Sequence, residues 1–140
     1  MELAAANAYV EAHQRGVLVT LKRAGRPQLS NVSYTAAAGV IRVSVTADRA
    51  KTRNLVRDPR VSLHVTAADF WSYVVVEGLA ELSPEAGDSP ATLAELRETY
   101  RLMSGVDHPD WDDYDRAMTD DRRQVLRIRV ASAYGMLPQV

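Results

Sequence analysis

Five cations lie within the thirteen-residue segment DRAKTRNLVRDPR (residues 48–60), although the whole chain carries a formal net charge of only −1. They are Arg49, Lys51, Arg53, Arg57 and Arg60. Residues 1–60 hold 10 Lys and Arg against 4 Asp and Glu, and residues 61–140 hold 7 against 14. A basic half of this kind indicates an anionic partner, either nucleic acid or a phosphorylated small molecule, or else the pairing of the two halves with each other.

The basic segment predicts a short helix. We expect Thr46 or Asp48 as its N-cap, and we expect it to end at Asp58 because a residue before proline is disfavoured in the α region. A helix N-terminus exposes unpaired N–H groups and a partial positive charge, and both favour a bound phosphate. The start of this helix is therefore a candidate anion site.

Three side chains strengthen that candidate site. Arg49 and Lys51 lie in the predicted first turn, and the amide of Asn54 follows one turn later. Arginine offers a planar fork to phosphate oxygens, whereas lysine is a mobile point charge. The alternative is a solvent-exposed basic helix balanced by Asp58, and spacing alone leaves both open.

The segment PQLSNVSYTA (27–36) is unusually polar for a strand in a small core. By alternation one face carries Gln28, Ser30, Val32 and Tyr34, and the other carries Leu29, Asn31, Ser33 and Thr35. Short donors and acceptors of this kind suit a flat heterocycle with carbonyl groups and ring nitrogens. An edge strand with one wet face is the alternative.

Two aromatic residues, Trp71 and Tyr73, project to the same side where another strand begins. They are suited to covering a ring system or to packing against a second subunit. Ordinary core packing is the alternative.

Other kinds of site find little support. The chain has no cysteine, and its histidines, His13, His64 and His108, are too far apart in sequence for a zinc motif, so we expect no metal. No serine has an evident histidine base, so no catalytic residue is assigned, and His64 is interpreted as structural. A nucleic-acid partner is disfavoured because aromatic residues and cations lie apart.

The hydrophobic pattern predicts a single domain over residues 1–140, mainly β with helices. No segment is apolar enough to span a membrane and no leader is evident, so we expect a cytoplasmic protein. Six strands are expected, at residues 16–22, 27–36, 40–47, 61–67, 72–83 and 124–135, with Gly78 as a bulge or a point of close approach. Further helices are expected at 2–14, from Pro90 to Ser104, and from near Pro109. This order favours an antiparallel barrel or an α+β fold.

Four segments together resemble a known family. They are GVLVTLKRAGRPQLSNVSY, RAKTRNLVRDPRVSL, WSYVVVEGLAEL and DWDDYDRAMTDDRR. In order and spacing they resemble the actinobacterial deazaflavin-dependent oxidoreductases of the split β-barrel class, which is related to pyridoxamine 5′-phosphate oxidase. The similarity is greatest to the subgroup that binds coenzyme F420, a deazaflavin with a phosphate and an oligoglutamate tail, in preference to FMN.

The resemblance implies a six-stranded antiparallel split β-barrel of the FMN-binding type, which forms a homodimer with cofactor sites at the interface. It implies that the cofactor phosphate is held by Arg49, Ala50, Lys51, Thr52 and Asn54. The ring and ribityl chain would face Gln28, Ser30, Val43, Ser44 and Val45. The pocket would be lined, in one subunit or across the dimer, by Trp71 and Tyr73. The anionic tail would meet Lys22, Arg23 and Arg26.

The implied function is F420-dependent hydride transfer between the reduced deazaflavin and an unidentified unsaturated small molecule. One alternative is an FMN-dependent enzyme of the pyridoxamine phosphate oxidase type, which uses oxygen as acceptor. A second alternative is a non-catalytic protein that binds or carries the coenzyme.

Overall fold

A computed structural model describes residues 1–139 of the chain. Its four helices are α1 (Leu3–Glu11), α2 (Ala50–Arg57), α3 (Pro90–Ser104) and α4 (Trp111–Asp120). Its seven strands are β1 (Arg15–Leu21), β2 (Pro27–Ser33), β3 (Thr35–Ala37), β4 (Val40–Thr46), β5 (Arg60–Thr66), β6 (Tyr73–Leu82) and β7 (Arg123–Met136). Within residues 1–139, no helix is long and apolar enough to cross a membrane.

All neighbouring strands are antiparallel, in the order β2-β1-β5-β6-β7-β4-β3. The first and last strands of this order, β2 and β3, are joined in the chain by Tyr34 alone. One bent segment therefore supplies both edges of the sheet and closes it into a split barrel. The prediction of a mainly β, antiparallel barrel is confirmed.

The prediction of six strands is wrong, because residues 27–36 form two strands instead of one. Tyr34 is fully buried between them, and its groups bond outside the sheet. Its N–H donates to the Gln14 carbonyl at 2.9 Å, and its hydroxyl donates to the Val10 carbonyl at 2.7 Å. These bonds hold Tyr34 near the end of α1. At Tyr34 the chain therefore stops pairing with β1 and begins to pair with β4.

The barrel interior is filled from alternate strand positions, as the sequence predicts. In β4, Ile41, Val43 and Val45 are buried while the residues between them are half-buried. A smaller apolar cluster joins α3 and α4 to the start of β7, with Leu96, Tyr114 and Val125 at its centre. The helices at residues 90–120 therefore pack on the outside of the barrel.

The helix ends agree with the sequence in part. The hydroxyl of Ser89 accepts the N–H of Thr92 at 3.1 Å, and Gly105 ends α3 with φ 76°, so this helix spans the predicted residues 90–104. The N-cap of α2 is Arg49, without a side-chain cap bond, so the expectation of Thr46 or Asp48 is wrong. The Thr46 carbonyl accepts the Arg49 N–H at 3.2 Å, while the N–H groups of the first turn have no side-chain cap.

Gly78 marks a close approach of two strands. The β6–β7 register shifts between Glu77 and Gly78, as predicted. A Cβ atom at Gly78 would lie 2.1 Å from the Arg129 carbonyl oxygen, closer than any real contact. Only glycine fits this bulge.

Candidate functional site

A groove of about 380 Å³ lies between the start of α2, the open side of β4, and α3. Strand β2 ends on one side of it, and Met103 of α3 lies on the other. Its polar and charged walls are formed by Asn31, Ser33, Ser44, Thr46, Arg49, Lys51 and Arg123. The split in the barrel therefore produces a polar groove at the N-terminus of the basic helix.

The groove exists because one edge of β4 is only partly paired. Strand β4 pairs with β7 from Val40 to Thr46, whereas its pairing with β3 stops at Arg42. Among residues 1–139, no strand pairs with the β3 side of β4 beyond Arg42. The carbonyls of Ser44 and Thr46 on that side accept hydrogen bonds from Arg123 and Thr52, so the N–H of Ser44 is the group left to bind a ligand.

The peptide direction at Ser44 follows from its neighbours. Ala47 donates its N–H to Arg122 on the β7 side at 3.0 Å, and peptide directions alternate along a strand. Opposite Ser44, the carbonyl of Val125 accepts from Ser83 on the β6 side at 3.0 Å. Both observations indicate that the N–H of Ser44 points away from β7 and towards the groove.

Positive charge dominates the groove. Arg49, Lys51 and Arg123 line it, no Asp or Glu among residues 1–139 does so, and the first turn of α2 has no acidic residue. Burial, followed by the positive charges of Arg49 and Arg123, lowers the pKa of Lys51. The three cations are thus close enough to repel one another, and a bound anion would relieve that repulsion.

Sequence reasoning missed Arg123, the first residue of β7. Its guanidinium donates to the Ser44 carbonyl at 3.3 Å, and its Nε lies 3.6 Å from a carboxylate oxygen of Asp121. Arg123 lies 77 residues after Thr46 in the chain, and the pairing of β4 with β7 places it beside Thr46 at the groove. The available signal was the alternating arginines of the segment RQVLRIR, which mark a charged outer face.

The cations of the basic half are not neutralised by the acidic half. Among residues 1–139, the only ion pair that joins residues 1–60 to the later residues is Arg42 with Glu95, at 2.8 Å. Arg49 and Lys51 form no ion pair within that range. Pairing of the two halves within one chain therefore does not explain the charge asymmetry.

Three of the predicted site residues lie beneath α2 and hold it in place. Thr52 is buried, and its hydroxyl donates to the Thr46 carbonyl at 2.7 Å. The buried amide of Asn54 donates to the Thr20 hydroxyl and to the Gln28 side-chain oxygen, each at 3.1 Å. These bonds fix the helix on β1 and β2, so Asn54 and Gln28 contact each other instead of the groove.

Four further predicted residues lie close to the groove. Val43 and Val45 reach it with their main chains, since both side chains point into the core. Ala50 is the half-buried first residue of α2, so its N–H belongs to the free first turn. Ser30 is half-buried on the inner side of β2, opposite Leu18, and does not line the groove.

The remaining predicted residues lie elsewhere in this single chain. Trp71 is 75% exposed in the turn before β6, with its ring edge-on to Phe70. Tyr73 is half-buried, with its ring centroid 5.5 Å from that of His64. The predicted tail-binding cations are exposed in the β1–β2 turn and do not line the groove: Lys22, Arg23 and Arg26.

Comparison with known proteins identifies the family. Residues 3–137 match the family described as pyridoxamine 5′-phosphate oxidase. The chain belongs to this family. The match covers nearly the whole chain, so the split barrel and the groove both lie within the family domain.

Solved structures share the pyridoxamine 5′-phosphate oxidase fold. An F420 reductase superposes with a TM-score of 0.66 at 24% identity, over 91% of this chain and 94% of that chain. A conserved hypothetical protein from Mycobacterium tuberculosis gives 0.77 at 24% identity, over 100% and 91% of the chains. A candidate pyridoxamine 5′-phosphate oxidase from Listeria innocua gives 0.67 at 18% identity, over 95% and 97%.

In this member of the pyridoxamine 5′-phosphate oxidase family, the groove is equipped to hold a multiply charged anion next to a polar ring. Three cations and the free amides of α2 suit the anion. The Ser44 amide, with the side chains of Asn31 and Ser33, lies on the same groove and suits a ring with carbonyl groups. The arrangement can bind and orient a ligand, while no side chain in it is an evident nucleophile.

Proposed function

We propose that this chain is an oxidoreductase that binds the phosphorylated deazaflavin coenzyme F420 in the groove at the start of α2. In the proposed reaction a hydride passes between the coenzyme and an unidentified unsaturated small molecule. The observation that carries the proposal is the cluster of Arg49, Lys51 and Arg123, in which Arg123 pairs with Asp121 while Arg49 and Lys51 form no ion pair within residues 1–139. A cluster with two unpaired cations fits a phosphate better than it fits a neutral ligand.

The residues at the phosphate end have distinct roles in this proposal. Lys51 and Arg49 bind the phosphate oxygens together with the N–H groups of Ala50 and Thr52. Arg123 contributes a guanidinium from the opposite wall, held by its bond to the Ser44 carbonyl. Placing the phosphate anion here returns the pKa of Lys51 towards its ordinary value, since the anion offsets the neighbouring charges.

At the ring end, the chain orients its ligand through main-chain and amide groups. The Ser44 N–H lies on the open side of β4, where it can donate to a ring carbonyl and stabilise negative charge there. Asn31 and Ser33 add side-chain donors from β2. When bound, the deazaflavin supplies the hydride chemistry, and the chain supplies position and electrostatics.

A second copy of the chain is part of the proposal. The outer face of the sheet carries large exposed apolar side chains on β2, β6 and β7, among them Leu29, Leu79, Tyr134 and Met136. Exposed apolar area of this kind is typical of an interface between subunits. In a homodimer across this face, Trp71 and Tyr73 at the start of β6 would approach the partner's groove, which accounts for their distance from the groove of their own chain.

The choice of F420 over FMN rests on the motifs RAKTRNL and GRPQLSN. The likeness to an F420 reductase, at 24% identity, concerns the fold and does not bear on this choice. An FMN-dependent oxidase would use the same phosphate site. Binding measurements with both ligands are therefore needed to distinguish F420 from FMN.

Parallel titrations test the proposal. Purified protein is titrated with F420 and with FMN, and the quenching of the fluorescence of its two tryptophans is followed. We expect tight binding of F420 and weak binding of FMN. We expect Lys51→Ala and Arg49→Ala each to weaken F420 binding by about 1.5–3 kcal/mol, the typical value of a charge-assisted hydrogen bond.

Arg53→Ala is the matched control, because Arg53 is an exposed cation of the same helix that does not line the groove. The Arg53→Ala variant should bind F420 with the same affinity as the unchanged protein. Equal losses in all three variants would indicate attraction by net charge alone and would contradict the groove as the binding site. Binding of FMN in preference to F420 would assign the oxidase alternative.

A further inference from the structure

Arg122, in the turn between α4 and β7, has a strained backbone. Its φ is 55°, in the left-handed region that glycine adopts freely and that other residues adopt at a cost in free energy. Apart from glycines, Ala38 is the other residue within 1–139 that has a positive φ. Strain of this kind persists where neighbouring contacts impose it, and it is concentrated at functional sites. The strained residue directly precedes Arg123, the cation that β7 supplies to the groove.

Side-chain and main-chain bonds hold Arg122 in this conformation. Its guanidinium donates to both carboxylate oxygens of Glu85, from Nε at 2.8 Å and from Nη2 at 3.1 Å. Its N–H donates to the Thr119 carbonyl at 3.1 Å, and its carbonyl accepts the Ala47 N–H at 3.0 Å. The bond from Ala47 joins this turn to the segment between β4 and α2. Arg122 therefore connects the backbone that precedes Arg123 to the backbone that precedes the basic helix.

The contacts of the Arg123 side chain do not account for its position. One of its donors bonds the Ser44 carbonyl at 3.3 Å, and its Nε lies 3.6 Å from a carboxylate oxygen of Asp121, too far for a hydrogen bond. That Nε is buried, and no group among residues 1–139 accepts a hydrogen bond from it. A buried donor without an acceptor is costly. We therefore attribute the position of Arg123 to the backbone that precedes it.

We propose that Arg122 is a positioning residue: its left-handed backbone, held by the bonds of its side chain to Glu85, directs the guanidinium of Arg123 into the groove. Arg122 itself does not line the groove, so it acts on a ligand through Arg123. The inference rests on the proposed function and deepens it, because the third cation of the phosphate site then depends on a turn outside that site.

Two substitutions of Arg122 that remove the same charge test the role of its backbone. Glycine adopts a φ of 55° without strain, whereas β-branched valine is strongly disfavoured there. We expect Arg122→Gly to bind F420 as the unchanged protein does, although the bonds to Glu85 are lost. We expect Arg122→Val to bind F420 about ten-fold more weakly, which corresponds to the loss of one charge-assisted hydrogen bond. Equal affinities of the two variants would overturn the proposal.

A double variant tests whether the effect passes through Arg123. With Arg123→Ala already present, Arg122→Val should weaken F420 binding no further, because the side chain that it misplaces is absent. A second ten-fold loss in the double variant would show that Arg122 acts by another route and would overturn the positioning role. The Tm of each variant is measured in parallel, so that loss of folding is distinguished from loss of binding.

The Nε–H signal of Arg123 in ¹⁵N NMR spectra tests the positioning role without any coenzyme. Because this N–H is buried, it should exchange slowly with water in the unchanged protein and in Arg122→Gly. It should exchange faster in Arg122→Val and in Glu85→Ala, which removes both acceptors of the Arg122 guanidinium.

Asp113→Asn is the matched control for Glu85→Ala, since Asp113 pairs with Arg116 on the exposed surface of α4 at 3.3 Å. It should leave the exchange of the Arg123 Nε–H unchanged. Slow exchange in both Arg122→Val and Glu85→Ala would overturn the positioning role, whatever the affinity for F420. The expected exchange pattern in a protein that does not bind F420 would support the positioning role and contradict the proposed function, so the two failures give different results.

Discussion

At the scale of single residues, Lys51 combines an energetic cost with a binding role. Its pKa is lowered by burial and by the charges of Arg49 and Arg123, so its charged form is less stable in the folded chain than in water. A lysine with a lowered pKa next to two arginines destabilises the ligand-free fold. Such an arrangement is retained in proteins where binding requires it.

Replacement of Lys51 by methionine should separate stability from binding. The charged lysine opposes folding at every pH below its lowered folded-state pKa, so at pH 7 the Lys51→Met variant should have a Tm equal to or higher than that of the unchanged protein. F420 affinity should fall in the same variant. Arg53→Met is the control and should change neither the Tm nor the F420 affinity. A lower Tm for Lys51→Met would show that Lys51 stabilises the fold and would contradict this prediction.

Asn54 illustrates a residue whose role is support. Its amide is buried and bonded to Thr20 and Gln28, while its side-chain oxygen accepts from Arg57 at 3.2 Å. Asn54→Ala leaves these partners unsatisfied, so the free energy of unfolding in urea should fall by about 1–3 kcal/mol. Arg53→Ala, on the exposed side of the same helix, should change it by less than about 0.5 kcal/mol. Equal effects of the two variants would contradict the supporting role.

At the scale of elements, one carboxylate ties α3 to two strands of the barrel. Glu95 accepts from Arg42 on β4 and from Arg127 on β7, each through Nε at 2.8 Å. The hydrogen bond from Arg127, and to a lesser degree that from Arg42, lowers the pKa of Glu95 although burial opposes the change. Met103, two turns further along α3, lines the groove, so this ion-pair group also sets the shape of the site.

Glu95→Gln should therefore destabilise the protein in a pH-dependent way. The folded-state pKa of Glu95 lies below its ordinary value of 4.5, so the ion pairs stabilise the fold fully above pH 4.5 and lose that effect as the pH falls through the lowered value. At pH 7 the variant should lose about 1–2 kcal/mol in urea unfolding, a value reduced for partial exposure.

Glu98→Gln is the control for this change, since Glu98 is exposed on α3 and pairs only with Arg101 on the surface, at 3.4 Å. It should alter stability little at any pH. The difference between Glu95→Gln and the unchanged protein should shrink as the pH falls from 4.5 towards 3. A difference that stays constant over that range would contradict the role of the ionised carboxylate.

The sequence predicted most elements because their signals are local. Proline after Asp58, serine at 89 and glycine at 105 mark helix ends, and alternation in β4 identifies its buried face. The corner at Tyr34 could not be predicted, because it depends on bonds to α1, 20 or more residues away in sequence. The same reason explains the site: Lys51 and Ser44 are near in sequence, whereas Arg123 joins them through strand pairing alone.

At the scale of the whole molecule, the outer sheet face predicts self-association. Tyr134 of β7 is opposite Val75 of β6, and it is 52% exposed although its neighbours are apolar. Sedimentation velocity should show a species of twice the chain mass. Tyr134→Lys should shift it towards the monomer, because a charge within an apolar interface is costly.

Val106→Lys is the control, since Val106 is 63% exposed beyond the end of α3 and belongs to no strand of the sheet. It should leave the mass unchanged. A monomer in the unchanged protein at micromolar concentration would contradict the proposed dimer. Association unaffected by Tyr134→Lys would place the interface elsewhere on the surface.

The most direct test of the central claim removes the phosphate from the ligand instead of a cation from the protein. Affinities for the 5′-phosphate of the deazaflavin, which has no tail, and for the same deazaflavin without its phosphate are measured by calorimetry in the unchanged protein and in the Lys51→Ala, Arg123→Ala double variant. The unchanged protein should prefer the phosphorylated ligand by roughly a hundredfold or more, and the double variant should lose most of that preference. Equal affinity for the two ligands, or a preference that survives loss of both cations, would contradict the claim that this groove binds the phosphate.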